Sequence, residues 1–542
     1  MEAAASIAAA HSEPATPSHK WLVALAVMLG TTLEVLDTSI VNVSLPHMQG
    51  SFSASVDEIS WVLTSYLVAN GIMIPMTGWI SARFGRKRYF LTSMFLFLIA
   101  SAFCGAARSL SQIVIFRLMQ GAAGAAMLPS SQAIMMETFP PEEQQLAMAT
   151  WGVGMMVAPI LGPTLGGWIT DNWNWRWNFY MNIPVGAIAL VMVSIFVHDP
   201  PHLREHRARG GKVDYLGILL LVLSLGLLQI VVDRGQRSDW FTAPWVVWAA
   251  VASLCAMVYL VFHELHFRDP IIDLRILKLP LFSISVCIVV ALSFILWGTG
   301  LLGPIFLQEF MGYTAQTAGL VMVPRAMGAM CAMFFAGQVA RAGYDNKRLI
   351  GVSFTMMATG LWAMSGWNLG ISMWQVIWPG VILGAGLGLC FPITMAAAFS
   401  VVPHEKLGFA ASLYNMVRNT GAAVGIAYMT NTLVSHQQIH QSYLVEHFSV
   451  FEAWRLGSMP HRANLPALGY LPQMISGHKQ GFGLIYGTIQ AQSSMLAFND
   501  IYRILTAIAI VMIPSFLILK GAKVTRDKVA SDRVTGDAIP AH

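Results

Sequence analysis

Residues 21–43 read WLVALAVMLGTTLEVLDTSIVNV, a strongly apolar stretch with two carboxylates inside it, Glu34 and Asp37. About 20 apolar residues carry a helix across the hydrocarbon core of a bilayer. A charge at that depth is costly and marks an ion or proton path more often than packing. Glu34 and Asp37 are three apart, so on a helix they share one face, and that face must turn away from lipid. Burial and mutual repulsion both favour the protonated form of a carboxylate. Reversible proton binding near neutral pH is the expected role of the pair. The plainer alternative is a carboxylate locked by a neighbouring hydrogen bond that fixes helix packing.

The rest of the chain agrees with a membrane setting. Of its 542 residues 56% are hydrophobic and 11% charged, against about 25% charged in a soluble domain. Fourteen segments are long and apolar enough to span: 21–43, 59–81, 89–107, 111–135, 147–169, 177–197, 215–232, 244–263, 282–307, 318–339, 349–367, 374–399, 410–433 and 500–519. An even number places both termini on one side, and basic residues choose which. Arg83, Arg86, Lys87 and Arg88 follow span two; Arg204, Arg207, Arg209 and Lys212 follow span six. Arg268, Arg275 and Lys278 follow span eight, and Arg341, Lys347 and Arg348 follow span ten. The alternate short loops hold only Arg108, Arg176, Arg234 and Arg237. Both tails, 1–20 and 520–542, are therefore expected in the cytoplasm. The formal net charge of +5 follows from this bias, so no nucleic-acid partner is implied. All five cysteines fall in apolar spans as small hydrophobes. Residues 1–20 show no charged stretch followed by a cleavable apolar segment, so span one is expected to be retained.

Three segments carry motifs. The loop Gly78-Trp-Ile-Ser-Ala-Arg-Phe-Gly85-Arg86-Lys-Arg88 joins spans two and three, with glycines for a tight turn and four basic groups for carboxylates or lipid headgroups. Arg117-Leu-Met-Gln120-Gly121-Ala-Ala-Gly124 lies in span four. An intramembrane arginine needs a partner or a wet cavity, and a carboxylate of span one is the obvious candidate. Span five contains Ala158-Pro159-Ile-Leu-Gly162-Pro163-Thr-Leu-Gly166-Gly167. In a membrane, neighbouring helices can re-satisfy the backbone groups that such prolines free. The segment is expected to be a kinked, closely packed helix suited to rocking between halves, or a purely structural kink.

A family resemblance rests on these residues. Leu36-Asp37-Thr-Ser-Ile-Val-Asn42-Val-Ser-Leu-Pro46 resembles the first-span signature of the drug:proton antiporters of the major facilitator superfamily. Gly78–Arg88, Arg117–Gly121 and Ala158–Gly167 are similar to that superfamily's loop, span-four and antiporter motifs. Trp175-Arg-Trp-Asn-Phe-Tyr-Met-Asn182-Ile-Pro184, Asp233-Arg234-Gly235, Gly312-Tyr313 and Arg418-Asn419-Thr-Gly421 resemble the fourteen-span EmrB-type branch. One position departs: Ala82 stands where the superfamily loop usually has an aspartate.

The resemblance implies an all-α membrane protein of the major facilitator fold. Its halves would be 21–197 and 282–519, with two inserted spans at 215–263 between a basic loop 198–214 and a cytoplasmic linker 264–281. The second half would contain an extracytoplasmic loop, 434–499. Gly384-Ala-Gly386-Leu-Gly388 in span twelve supports an internal repeat, as does Gly337 with the basic residues after span ten.

Function is expected to follow. No phosphate-cradling Gly-x-x-x-x-Gly-Lys-Ser/Thr occurs in the sequence, so a proton gradient is the expected energy source, with no cofactor and no enzymatic activity. Asp37, Glu34 and Arg117 are the proton-coupling candidates. Gly78, Gly85, Arg86, Pro159, Gly162, Pro163, Gly166 and Gly167 are the conformational ones. Asn42, Gln120, Arg325, Arg418 and Asn419 are candidates for the substrate cavity, the two arginines for anionic substrate, for balancing a proton-carrying acid, or for structural pairing. The substrates would be hydrophobic or amphipathic small molecules exported across a bacterial inner membrane. A periplasmic adaptor protein and an outer-membrane channel are implied partners. The alternative is export of one endogenous siderophore, fatty acid or antibiotic. His436 and His440, at i,i+4 spacing near His447, lack an evident acidic or cysteine partner, so no metal site is expected there.

Overall fold

Without water to satisfy backbone groups, a chain this apolar must close its hydrogen bonds within helices. The computed structural model describes residues 17–199, 213–235, 238, 240–267, 269–341, 346–446 and 479–514. Among them the regular elements are helical. The first half comprises α1 (Pro17–Phe52), α2 (Val56–Met73), α3 (Thr77–Phe84), α4 (Arg86–Ala106), α5 (Leu110–Gly124), α6 (Met127–Thr138), α7 (Gln144–Asn172), α8 (Trp177–Tyr180) and α9 (Asn182–Phe196). Next come α10 (Tyr215–Arg234) and α11 (Pro244–His266). The remainder is α12 (Pro280–Ile305), α13 (Ala315–Arg341), α14 (Asn346–Met364), α15 (Met373–Ser400), α16 (Leu407–Glu446) and α17 (Lys479–Met512).

Twelve stretches of these helices are long and apolar enough to cross a membrane. The two other expected spans, 349–367 and 410–433, fall on α14 and α16, long helices of 19 and 40 residues. The last span differs from expectation: its apolar stretch is Tyr486–Met512, and 515–519 lie outside the described residues. The polar start of α17 and its Arg503 dilute the apolar pattern, which drew the sequence reading toward the C-terminal side. The expected loop 434–499 is helical at both ends, since α16 runs on to Glu446 and α17 begins at Lys479. The tail 520–542, most of the tail 1–20, the basic cluster Arg204–Lys212, Arg268 and His447 also lie outside the described residues.

Glycine sets how closely the helices approach. A Cβ on Gly121 of α5 would stand 2.3 Å from the Tyr66 carbonyl oxygen of α2. On α15, a Cβ on Gly384 or Gly388 would stand 2.1 Å from the carbonyl oxygens of Arg325 and Ala329 on α13. The same backbone-on-backbone contact thus occurs in both halves. α7 runs unbroken through Pro159 and Pro163 and packs on α1, where a Cβ on Gly162 would meet Ser39 Oγ at 2.4 Å and one on Gly166 would meet Ile40 Cγ2 at 2.9 Å. Gly167 has more room, 3.8 Å to Val43 Cγ1, and Pro159 is exposed.

Polar contacts tie α10 to α11 and to α2. Ser253 Oγ of α11 donates to the Ser224 carbonyl of α10 at 2.7 Å. Thr64 Oγ1 of α2 donates to Asp233 Oδ2 of α10 at 2.5 Å, and the Arg234 guanidinium lies 4.3 Å over the Trp61 ring.

The halves meet through a paired contact at one end of the bundle. A Cβ on Gly78 would stand 2.7 Å from Phe409 Cα of α16, and one on Gly337 would stand 2.8 Å from Leu146 Cδ1 of α7. Gln145 Nε2 donates to the Ala336 carbonyl at 3.2 Å, and Asn415 Nδ2 donates to Gln132 Oε1. The loop carrying Gly85 and Arg86 lies at this end. Gly85 takes φ +94°, a conformation that favours glycine, and ends α3 where α4 begins. Arg86 is buried and pairs with Glu137 of α6, while the Lys87 amide donates to Asp199 Oδ1 at 2.7 Å. Ala82, in the aspartate position, is buried.

Candidate functional site

Asp37 lies near the middle of the apolar stretch Lys20–Phe52 and is 0% exposed. Arg117, the intramembrane arginine of α5, reaches it: Arg117 Nη1 donates to Asp37 Oδ2 at 2.6 Å. The expected partnership between spans one and four is thereby realised with both groups fully buried. Asp37 Oδ1 accepts from Gln120 Nε2 at 2.9 Å and from Asn182 Nδ2 at 2.7 Å. Gln120 also accepts from Arg117 Nη1 at 2.8 Å through its Oε1, which fixes its amide orientation. Arg117 Nε donates to the Val62 carbonyl of α2 at 3.1 Å, and its guanidinium lies 4.2 Å over the Tyr66 ring. Asn182 Nδ2 in turn donates to Ser101 Oγ of α4 at 3.0 Å. One carboxylate therefore ties α1, α5 and α9 directly, and α2 and α4 through its partners.

Glu34 is held differently. Asn70 Nδ2 of α2 donates to its Oε1 at 3.0 Å, while its buried Oε2 has no hydrogen-bond partner among the described residues. Arg418 of α16 is buried and within electrostatic reach of Glu34, with no ion pair among the described residues. The two acids expected to act together thus occupy adjoining but distinct settings. Asp37 has three side-chain donors, one of them its counter-charge Arg117; Glu34 accepts from Asn70 and has Arg418 of α16 within electrostatic reach.

The remaining candidates divide. Gln120 joins the Asp37 cluster rather than an open cavity. Arg325 is half-buried and donates through Nη2 to Thr299 Oγ1 of α12 at 2.6 Å, a contact within the second half. Asn419 is half-buried beside Arg418 in sequence, and Asn42 is exposed; neither takes part in the carboxylate cluster. Three residues of the network had no assigned role in the sequence reading: Asn70, Ser101 and Asn182. Their signal was an uncharged polar side chain in an apolar span. Asn182 stood in a quoted motif.

Twin acids, a buried arginine and neutral amides bridging five helices can store a charge out of water and release it when a proton arrives. Similarity to known proteins bears on what such a device serves. The Major Facilitator Superfamily domain matches residues 27–426. The chain is 34% identical over 471 residues to the multidrug export protein EmrB of Haemophilus influenzae, covering 85% of this chain and 90% of that protein. It is 32% identical to the fatty acid resistance protein FarB of Neisseria gonorrhoeae, over 91% of this chain and 94% of that protein. Its fold is shared with the crystal structure of the human organic anion transporter MFSD10, at TM-score 0.58 and 15% identity over 91% of this chain and 100% of that one. The protein is a multi-pass membrane transporter, not an enzyme. These findings bear out the resemblance drawn from the motifs: the chain belongs to the major facilitator superfamily, in its EmrB-type branch of multidrug efflux permeases.

Proposed function

We infer that the protein is a proton-coupled antiporter that exports hydrophobic or amphipathic compounds across a bacterial inner membrane by alternating access. In this reading it has fourteen spans, two six-span halves and an inserted pair, with both termini cytoplasmic. It works with a periplasmic adaptor protein and an outer-membrane channel. The observation that carries the reading is the fully buried pair of Asp37 with Arg117 at 2.6 Å, braced by Gln120 and Asn182. A buried ion pair gives little net stability, because desolvation offsets its attraction, so its presence calls for a functional reason.

The mechanism follows from what a proton does there. With Asp37 ionised, Arg117 is neutralised and α1, α5 and α9 are clasped. A proton on Asp37 removes the counter-charge, leaves Arg117 held by Val62, Gln120 and Tyr66, and loosens α1 from α5. α1 also packs on Gly162 and Gly166 of α7, and α7 meets α13 of the other half, so the change reaches the interface between halves. Glu34 is a second acid facing Arg418 across that interface. Export proceeds when protonation from outside accompanies substrate release and deprotonation to the cytoplasm accompanies substrate loading. One charge crossing 100 mV supplies about 2.3 kcal/mol, enough to hold a substrate gradient of roughly fifty-fold. No chemical cofactor is needed. In an efflux-deficient strain, Asp37→Asn is expected to give no resistance even when its amount in the membrane is matched to that of the unmodified protein. Full resistance from that variant overturns the reading.

One observation favours a narrower second reading, a dedicated exporter of one anionic metabolite such as a fatty acid. Arg418 is buried, has no ion pair among the described residues and faces the Glu34 side of the interface. FarB, a relative, is named for fatty acid resistance. A substrate profile restricted to one carboxylate compound, lost in Arg418→Gln, would select this reading over multidrug export.

A further inference from the structure

Beyond the transport site, the structure supplies the acidic partner that the His436 and His440 spacing lacks in sequence. The two histidines are one turn apart on the outer part of α16, and Asp500 faces them from α17. Asp500 Oδ2 lies 2.9 Å from His436 Nδ1 and 2.7 Å from His440 Nε2. These three atoms all lie within 4.8 Å of one another. A four-coordinate zinc ion, with bonds of about 2.0–2.2 Å, keeps its ligand atoms roughly 3.3 Å apart. To admit such an ion the carboxylate must move outward by about half an ångström, and the two imidazole nitrogens, within 4.8 Å of each other, must settle at about 3.3 Å.

The chemistry of the set is selective. Two imidazoles and one carboxylate suit zinc-class divalent ions, whereas calcium and magnesium take oxygen ligands. Arg503 Nη1 donates to Asp500 Oδ1 at 3.1 Å, which leaves Oδ2 turned toward the imidazoles, an orienting contact of the kind metal ligands use. The Arg503 side chain is 66% exposed, so water screens its charge from an ion. The cluster itself is half-exposed, which leaves a solvent side from which a fourth ligand, water, can complete the coordination.

We propose that His436, His440 and Asp500 form a binding site for a zinc-class divalent cation that staples α16 to α17. The ion takes the place of the imidazole-to-carboxylate hydrogen bonds, with each neutral imidazole carrying its proton on the ring nitrogen away from the ion. The staple ties the C-terminal part of α16 to the interior of α17; the residues between the two helices are 447–478.

The test uses full-length protein, purified on an affinity tag without histidine and stripped with a chelator. Co2+ is added first and Zn2+ then competes. The expected result is one tight equivalent per chain, seen as Co2+ ligand-field absorption displaced by one equivalent of Zn2+, with a Zn2+-dependent rise in melting temperature. His436→Ala should weaken that equivalent at least tenfold and abolish the thermal shift. His440→Gln keeps a hydrogen-bond donor toward Asp500 but is a poor zinc ligand, so it should fold normally and behave alike. Absence of a tight equivalent in the unmodified protein overturns the proposal. Equal Zn2+ affinity in the unmodified protein and in a folded His440→Gln variant also overturns it, and leaves only a hydrogen-bonded cluster.

Discussion

Asp37 accepts from Arg117, Gln120 and Asn182 at once, so its charge and the shape of its surroundings are separable by mutation. Removing one partner of a buried pair costs about 3–5 kcal/mol, whereas replacing both with neutral groups is often near neutral. Arg117→Ala is therefore expected to lower the melting temperature in detergent sharply. The double variant Asp37→Asn with Arg117→Gln should recover most of that loss and still transport nothing. A double variant as unstable as Arg117→Ala would show that the pair is not the energetic unit described here. Glu34 accepts from Asn70, and a glutamine in its place can still accept from that amide. Glu34→Gln should keep stability near that of the unmodified protein and change which compounds are exported, read from growth inhibition across a compound panel. Loss of all export would place Glu34 on the same footing as Asp37. The charged members of the site were legible in sequence because each is costly in hydrocarbon. Asn70, Ser101 and Asn182 were not assigned, because a neutral amide or hydroxyl in a span has many uses and only the folded contacts show which one applies.

At the scale of single elements, small residues matter through what they let approach. Gly121 lies 2.3 Å, measured from an ideal Cβ, from a backbone carbonyl of α2, and Gly388 lies 2.1 Å from one of α13. Backbone cannot step aside as a flexible side chain can, and overpacking of this kind costs about 1–3 kcal/mol. Gly121→Ala and Gly388→Ala should each lower thermal stability by that order. Gly71→Ala should not, since Gly71 of α2 has nothing within 4 Å of its Cβ position. Equal effects at all three positions would contradict the packing described. The glycines at 384–388 were legible as an echo of those at 121–124, and the structure shows both sets in backbone contact with a neighbouring helix. The last span was placed too late because the turns before it carry Gln, Gly, Thr and Ser; residues 485–497 read as a possible helix leading into that span, and the structure makes both part of one helix, α17. The contact of Asp500 with α16 completed the His436 and His440 pair, which no local spacing could do.

Across the whole molecule, the halves close on each other through matching glycine contacts, Gly78 on Phe409 and Gly337 on Leu146. Leucine at either glycine cannot fit, so Gly78→Leu or Gly337→Leu should shift the population toward states open at that end. Spin labels at Arg88→Cys and Arg348→Cys, both exposed in the parent, would report a longer separation by pulsed electron resonance. The exposed native cysteines Cys255, Cys287 and Cys331 must first be replaced. An unchanged separation would remove these contacts from the gate. Loop charges gave the expected sidedness of the chain, but the contacts of α3 with α16 and of α13 with α7 became visible only in the fold.

In the proposed mechanism one carboxylate exchanges its arginine for a proton as the halves rock. Its most direct test is proton movement in proteoliposomes loaded with a pH-sensitive dye, with substrate added under an imposed pH gradient. The unmodified protein is expected to move protons down the gradient only when substrate is present, and Asp37→Asn to move neither protons nor substrate. Gradient-driven substrate transport by Asp37→Asn at the rate of the unmodified protein would contradict the account.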